Sequence, residues 1–297
     1  MVASPARPGR RRGRGARLEP TLLLAPGLLY LTVFVAVPVL LVGAYMFATR
    51  GRLSGVEWTF TLENFSRALE PIYLKVLADS LFVAGLATVL AFLIGYPTAY
   101  AITKLPPRWR TVALVLVVVP FWTNFLIRTY AWIVLLNSQG LVNDALVALG
   151  VVDAPVELLY TRGAVVVGMV YAYLPLMILP LYAALSKVDP ELLEASANLG
   201  ATRARTFWTV TFPLTLPAAL IGGILVFVPT MGNFVIPELL GGGKVSMVGT
   251  LVRDQFLRAR DWPFGAVLAM ILIILLVVLF LVQSRIARHI EGGGRRA

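Results

Sequence analysis

The residues able to act as acids, bases or nucleophiles are few. The 297 residues hold one histidine, His289, and no cysteine. Thiolate chemistry, disulfides and Cys-based zinc sites are therefore excluded, and a paired-His metal site cannot be built. GGGKVS, Gly241 to Ser246, looks like a phosphate loop but fails its spacing: Glu238 stands where the first glycine belongs and Val245 where the Ser or Thr belongs. No nucleophilic triad can be assembled either. The expectation is a chain with no catalytic residue, no metal and no cofactor of its own.

Polar groups set among apolar residues are the other candidates. Asp79 and Glu238 are the carboxylates nearest the apolar runs. A carboxylate in a membrane is costly unless paired, so each is a candidate cation contact. Each also has a structural alternative, since Glu238 could pair with Lys244 or Arg253 and Asp79 could cap its helix beside Ser80. Trp122, Thr123 and Asn124 follow Pro120, and Thr230 and Asn233 follow Pro229. A proline removes a backbone donor and favours a break, which membranes tolerate where helices line a cavity or move. These residues, with the aromatic faces of Tyr171 and Tyr173, are candidates to line a path for an organic cation. Interhelical hydrogen bonding by Asn124 and Asn233, and simple packing of Trp122, are the competing roles.

The longest polar interruption is ELLEASANLGATRARTFWTVTFP, Glu191 to Pro213. Asp189 is placed to cap a helix that begins with Pro190, and Glu191 suits the positive end of its dipole. Gly200 can take positive φ as the stop, and Thr202 can cap a second helix that runs to Pro213. The first helix spans about 15 Å at ~1.5 Å per residue, enough to fill a groove on another protein. Leu192, Leu193, Ala195 and Leu199 give it an apolar side, which a solvated connecting loop would not need.

The elements that position these residues are read from hydropathy. The chain is 59% hydrophobic and 14% charged, with mean hydropathy +0.83, the composition of an integral membrane protein. A hydrocarbon core of roughly 30 Å takes about 20 apolar residues in helix. Six spans are expected: Leu22 to Ala48, Val76 to Thr103, Thr111 to Leu136, Gly163 to Leu185, Leu214 to Ile236 and Pro263 to Ser284. The third is longer than a span needs, so its outer end is expected to leave the membrane or tilt. An even count puts both termini on one side, and 16 of the 26 Lys and Arg fall there against 5 of the 15 Asp and Glu. By the positive-inside rule that side is the cytoplasm. ARPGRRRGRGAR at the N-terminus then reads as a topology determinant rather than a nucleic-acid arm, and the apolar run from Leu22 exceeds a signal peptide's h-region. The expected organisation is an all-α membrane protein: a cytoplasmic tail over 1–21, a transmembrane domain over 22–284 with the polar module at 189–213 between the fourth and fifth spans, and a cytoplasmic tail over 285–297.

Glu194-Ala195-Ser196, three residues, Gly200, nine residues, then Val210-Thr211-Phe212-Pro213 resembles the EAA motif of permease subunits of bacterial ABC importers, EAA-x3-G-x9-I-x-L-P. Ser196 replaces the second Ala, and Phe212 replaces Leu. The resemblance implies that Glu194, Ala195, Ser196, Gly200, Ala201, Val210 and Pro213 belong to a coupling helix and its flank, seated in a cleft of a cytosolic ATPase. PFWTNFLIRTYAWIVLLNSQGLVN (Pro120 to Asn143), VYAYLPLMILPLYAAL (Val170 to Leu185), MGNFVIPELLGG (Met231 to Gly242) and RDWPFGAV (Arg260 to Val267) are similar to the permeases of spermidine/putrescine importers. Asp79 departs from that family, which usually has Asn before the Ser. The resemblance implies polyamine import into the bacterial cytoplasm by alternating access, across the inner membrane. It also implies a second homologous permease, two ATP-binding subunits that hold ATP and magnesium, and an extracytoplasmic solute-binding protein. Related branches carry ferric iron, thiamine, sulfate or molybdate. An ion-coupled secondary carrier is the reading from another class, and it would need intramembrane carboxylates that this sequence hardly offers.

Overall fold

The computed structural model describes residues 18–51 and 55–293; residues 1–17 and 294–297, which make up most of the tail expected at 1–21 and the end of that at 285–297, lie outside the described residues. Six stretches are helical, long and apolar enough to cross a membrane. They include α1 (Leu24–Tyr45), α3 (Pro71–Lys104), α7 (Arg162–Leu185), α9 (Arg203–Gly232) and the first 25 residues of α12 (Trp262–Gly293). Between α1 and α3 stand a two-stranded antiparallel ribbon, β1 (Thr49–Arg50) with β2 (Val56–Glu57), and the short α2 (Glu63–Ala68). The all-helical expectation did not include the ribbon.

The third apolar stretch departs from the expected single span, Thr111 to Leu136. It is divided into α4 (Pro107–Trp122) and α5 (Phe125–Leu136), and a turn leads on to α6 (Leu141–Ala148). Phe125–Ala148 is the part counted as long and apolar enough by itself. The cause is local: α4 ends two residues after Pro120, and the side chain of Asn124 begins a new helix. The fifth stretch also differs. It was expected over Leu214 to Ile236, after a separate helix ending at Pro213. Instead α9 runs unbroken from Arg203, through a π-helical turn at Phe207–Thr211, to Gly232. The N–H of Phe212 there bonds the Phe207 carbonyl five residues back, so the hydrogen-bond ladder has changed register just before Pro213 removes a donor. A second break follows at Asn233 and Phe234, and α10 (Val235–Gly241) and α11 (Val248–Leu257) lead to α12.

The core lies where α3, α7 and α9 pack together, and α7 is its centre: 61% of its apolar window is buried, against none of that of α1. Met177 of α7 sits between two glycines. A Cβ on Gly95 of α3 would lie 2.9 Å from its Cγ, and one on Gly222 of α9 would lie 2.8 Å from its Sδ. Both distances are closer than real Cβ atoms come, so the three helices approach as they do because these positions have no side chain. Gly223 and Gly232 of α9 play no such part: a Cβ at Gly223 would make an ordinary contact, and one at Gly232 would meet nothing within 4 Å.

Few polar groups enter this core, and two of its contacts join separate helices. Tyr96 of α3 and Thr215 of α9 share a hydrogen bond of 2.8 Å between hydroxyls, and Ser80 of α3 accepts from the Val248 N–H at the start of α11. A smaller cluster at the far end joins α2 to α12, where the Arg67 guanidinium lies 4.0 Å from the Phe264 ring centroid and 2.7 Å from Asp261. Burial works against the charge on Arg67, but hydrogen bonds to Asp261 and Tyr73 outweigh it and hold the pKa above the ordinary arginine value.

Candidate functional site

The polar module closes the end of the bundle between α7 and α9. Its first helix, α8 (Pro190–Asn198), begins where Asp189 Oδ1 accepts from the Glu191 N–H at 2.9 Å, with Pro190 at the first helical position, where a missing donor costs nothing. It ends at Gly200, φ +80°, with the Gly200 N–H on the Ala197 carbonyl and the Ala201 N–H on that of Ser196. That pair of bonds is a Schellman stop, and it needs a residue that tolerates positive φ. Thr202 Oγ1 then accepts from the Arg205 N–H and opens α9.

Ser196, the small departure from the motif, has a partner that the spacing did not reveal. Its hydroxyl lies 2.9 Å from that of Thr206, so it ties α8 to the first turn of α9. Alanine could not make this link. The module also presents Leu192, Leu199 and Trp208 to the outside, exposed by 47%, 89% and 63%. Large apolar side chains grouped on an otherwise polar segment are what a docking surface requires. Glu194 and Ala195 are exposed on α8; Val210 lies within the π-helical turn of α9 and Pro213 just beyond it.

Toward the far end the structure brings the path candidates into two groups. Tyr173 and Asn233 meet directly, the Asn233 amide donating to the phenol oxygen at 2.7 Å, while Asn233 Oδ1 accepts from the Ile236 N–H and starts α10. Thr230 is buried and bonds the carbonyl of Val226 in its own helix, so it is turned away from any path. Trp122, Thr123 and Asn124 form the other break. Asn124 Oδ1 accepts from the Leu126 and Ile127 N–H groups, Thr123 bonds the Pro120 carbonyl, and Trp122 is 82% exposed. The groups are neighbours because α5 and α10, the helices beyond the two breaks, pack on each other.

Tyr171 stacks edge-on against Trp132 of α5, beside a cavity of about 10 Å³ that Arg128 also lines. That volume holds no more than about one water. Arg128 itself was not singled out from the sequence. Its guanidinium lies within 6 Å of the Phe121 and Phe125 ring centroids, and its Nε is buried without a partner.

Both carboxylates are occupied. Asp79 does not cap its helix beside Ser80; it meets Arg162, at the start of α7, at 2.9 Å. Glu238 pairs with Arg253, as one of the sequence alternatives had it, and also with Arg258 at 2.8 Å. A cation seeking either carboxylate would have to displace a guanidinium. Prolines within the spans behave in two ways. α4 and α9 stop just past Pro120 and Pro229, whereas α7 continues through Pro175 and Pro180 among the helices packed around it.

Comparison with known proteins gives one family and consistent relatives. The model for the binding-protein-dependent transport system inner membrane component matches residues 20–292. The chain is 42% identical over 259 residues to the spermidine/putrescine transport system permease protein PotB of Escherichia coli K12, covering 87% of this chain and 94% of that one. It is 43% identical over 256 residues to PotB of Haemophilus influenzae, covering 86% and 90%. Among solved structures, a chain of the bacterial alginate ABC transporter in complex with an alginate pentasaccharide-bound periplasmic protein superposes with a TM-score of 0.76 at 16% identity, covering 93% of this chain and 96% of that one. At that identity the last match speaks for the fold.

Proposed function

Because this chain belongs to the family of binding-protein-dependent transport system inner membrane components, we propose that it is the permease subunit of an ATP-driven importer that carries spermidine and putrescine into the bacterial cytoplasm. It is a multi-pass protein of the inner membrane and a transport subunit rather than an enzyme. The transmembrane domain covers 22–284, with both termini and the module at 189–213 on the cytoplasmic side, where the basic residues gather. It works beside a second homologous permease, two ATPase subunits that hold ATP and magnesium, and an extracytoplasmic binding protein that delivers the solute.

The observation that carries this reading is the module: a helix capped at both ends, tied by Ser196 to Thr206, presenting Leu192, Leu199 and Trp208, and joined without a flexible linker to α7 and α9. A force applied to α8 is transmitted through α9, whose other end is the break at Asn233. Closure of the ATPase pair would tilt α7 and α9 and shift the Tyr173–Asn233 contact, exposing the path alternately to each side. Along that path the aromatic faces of Trp122, Tyr171 and Tyr173 and the amides of Asn124 and Asn233 suit a flexible organic cation held weakly. Asp79 and Glu238 act there as structural ion pairs. A secondary carrier finds little support, since its coupling carboxylates would already be neutralised by arginine.

The test is reconstitution with the second permease, ATPase and binding protein in liposomes. ATP-dependent uptake of spermidine and putrescine is expected, and Gly200→Val, which cannot take φ near +80° without strain, should cut uptake more than tenfold while ATP hydrolysis persists. ATPase stimulated only by a binding protein loaded with ferric iron, thiamine, sulfate or molybdate would keep the importer and change the solute. Uptake by the chain without an ATPase would overturn the importer.

A further inference from the structure

A second cavity lies behind the module, between α8 and the ends of the spans. Its volume is about 670 Å³, and it is lined by the last turn of α3, the start of α4, the end of α7, one side of α8 along its length and the start of α9. Volumes of roughly 300–1,000 Å³ are those of small-molecule sites. Three of its lining residues are cations, Lys104, Arg110 and Arg203, and none is acidic; Asp189, Glu191 and Glu194 of the module are not among them. Leu193 and Phe207 supply apolar wall on the module side.

Two of the cations are held in place. Arg110 donates to the Thr103 carbonyl at 2.9 Å and to that of Leu105 at 3.3 Å, which answers the free carbonyls at the end of α3. Its Nε is buried and has no partner. Lys104 Nζ sits 5.0 Å from the centroid of the Tyr100 ring. Three cations share this lining with no acidic residue among it, so the cluster lacks an anionic acceptor. The imported solute cannot supply one, because a polyamine is a cation and the cavity repels it.

We propose that this cavity binds a phosphate-bearing anion, with Arg110, Lys104 and Arg203 as its donors. The chemistry is that of phosphate recognition by guanidinium and ammonium groups, and an anionic phospholipid headgroup or free phosphate could supply the anion. An occupant bridges the α3–α4 turn and the module, so it stiffens the joint through which α8 moves the spans. The placement beside the cytoplasmic leaflet rests on the orientation proposed above; the cation cluster and its missing acceptor do not depend on it.

The assembled importer in nanodiscs tests this by hydrogen exchange over residues 186–206. Three arms are compared: phosphatidylcholine alone, phosphatidylcholine with phosphatidylglycerol, and phosphatidylcholine with millimolar inorganic phosphate. Slowed exchange with phosphatidylglycerol alone assigns the site to a lipid headgroup, and slowed exchange with inorganic phosphate assigns it to the free anion. Arg110→Gln should weaken the effect about fivefold, the contribution of one cation at a membrane surface. Adding Lys104→Gln and Arg203→Gln should abolish it, while Arg285→Gln, a cation outside the cavity, should leave it unchanged. No slowing in either arm, or slowing that survives Arg110→Gln undiminished, overturns the proposal; the single variant suffices if the triple one does not assemble. Spermidine uptake on the same samples separates the two readings. Uptake without protection sinks only the anion site, and protection without uptake sinks only the polyamine assignment.

Discussion

Two places in this molecule solve the same problem in different surroundings. At Pro120–Asn124 and Pro229–Asn233 a helix loses a donor to proline, stops, and restarts from an asparagine four residues later whose side chain accepts from the new helix's free N–H groups. Even the backbone agrees, with ψ of 127° at Asn124 and 133° at Asn233. Beyond each break comes a charge, and here they part. Glu238 is answered by Arg253 and Arg258, while Arg128 meets aromatic rings and no carboxylate among the described residues. Asn233 is 9% exposed and fastened to Tyr173; Asn124 and Trp122 face outward. The second break is complete within this chain. The first is left open on one side, where the proposed second permease and the path would meet it.

The largest effect should come from the closed break. Asn233→Leu removes the acceptor for the Ile236 N–H and the donor to Tyr173, leaving two part-buried polar groups unmatched at roughly 1–3 kcal/mol each. The assembled complex should melt several degrees lower, and uptake should fall more than tenfold. Unchanged melting would mean the asparagine is not a fastening, and the contrast between the breaks would dissolve.

Asn124→Ala sharpens the comparison from the other side. It removes only a cap in an exposed position, worth about 1 kcal/mol. Melting should shift little, yet uptake should drop severalfold because the tip of α5 loses its fixed direction. A fall in melting as large as that of Asn233→Leu would put Asn124 in a buried contact instead. Kinetic assays at several spermidine concentrations tell a path defect from a loss of folded protein, since lost protein lowers the maximal rate alone.

How much of this was legible in the sequence follows from the range over which each feature is decided. The module's caps were readable because Asp189, Pro190, Gly200 and Thr202 act on backbone within three residues of themselves. The first, fourth and sixth spans were readable to within a few residues because hydropathy is additive, whereas the third and the start of the fifth were misplaced by more than ten. The breaks were half readable: proline marked them, but whether a helix stops at Pro120 or continues through Pro175 depends on what packs around it. Contacts made across the fold were not readable, including Asp79 with Arg162, Ser196 with Thr206 and Tyr173 with Asn233. The run of α9 through Pro213 was missed for a related reason, since a π-helical turn leaves no mark in composition.

Trp122 supplies the smallest effect on the fold and the most direct probe of the open break. With 82% of its surface exposed, it contributes little to the packing of this chain, and Trp122→Ala should shift melting of the isolated subunit by no more than about 0.5 kcal/mol equivalent. An indole left outside on a helix end is costly unless lipid, a partner or a passing solute covers it. Uptake and assembly therefore decide among these. If the indole meets polyamine, the Michaelis constant should rise a few-fold with assembly intact, and Trp122→Phe should restore most of the loss, because a cation needs only an aromatic face. If it packs on the second permease, the variant should weaken co-purification of the pair instead. A variant silent in both assays would leave the indole to lipid, and the open side of the first break would then be a membrane surface rather than part of the path.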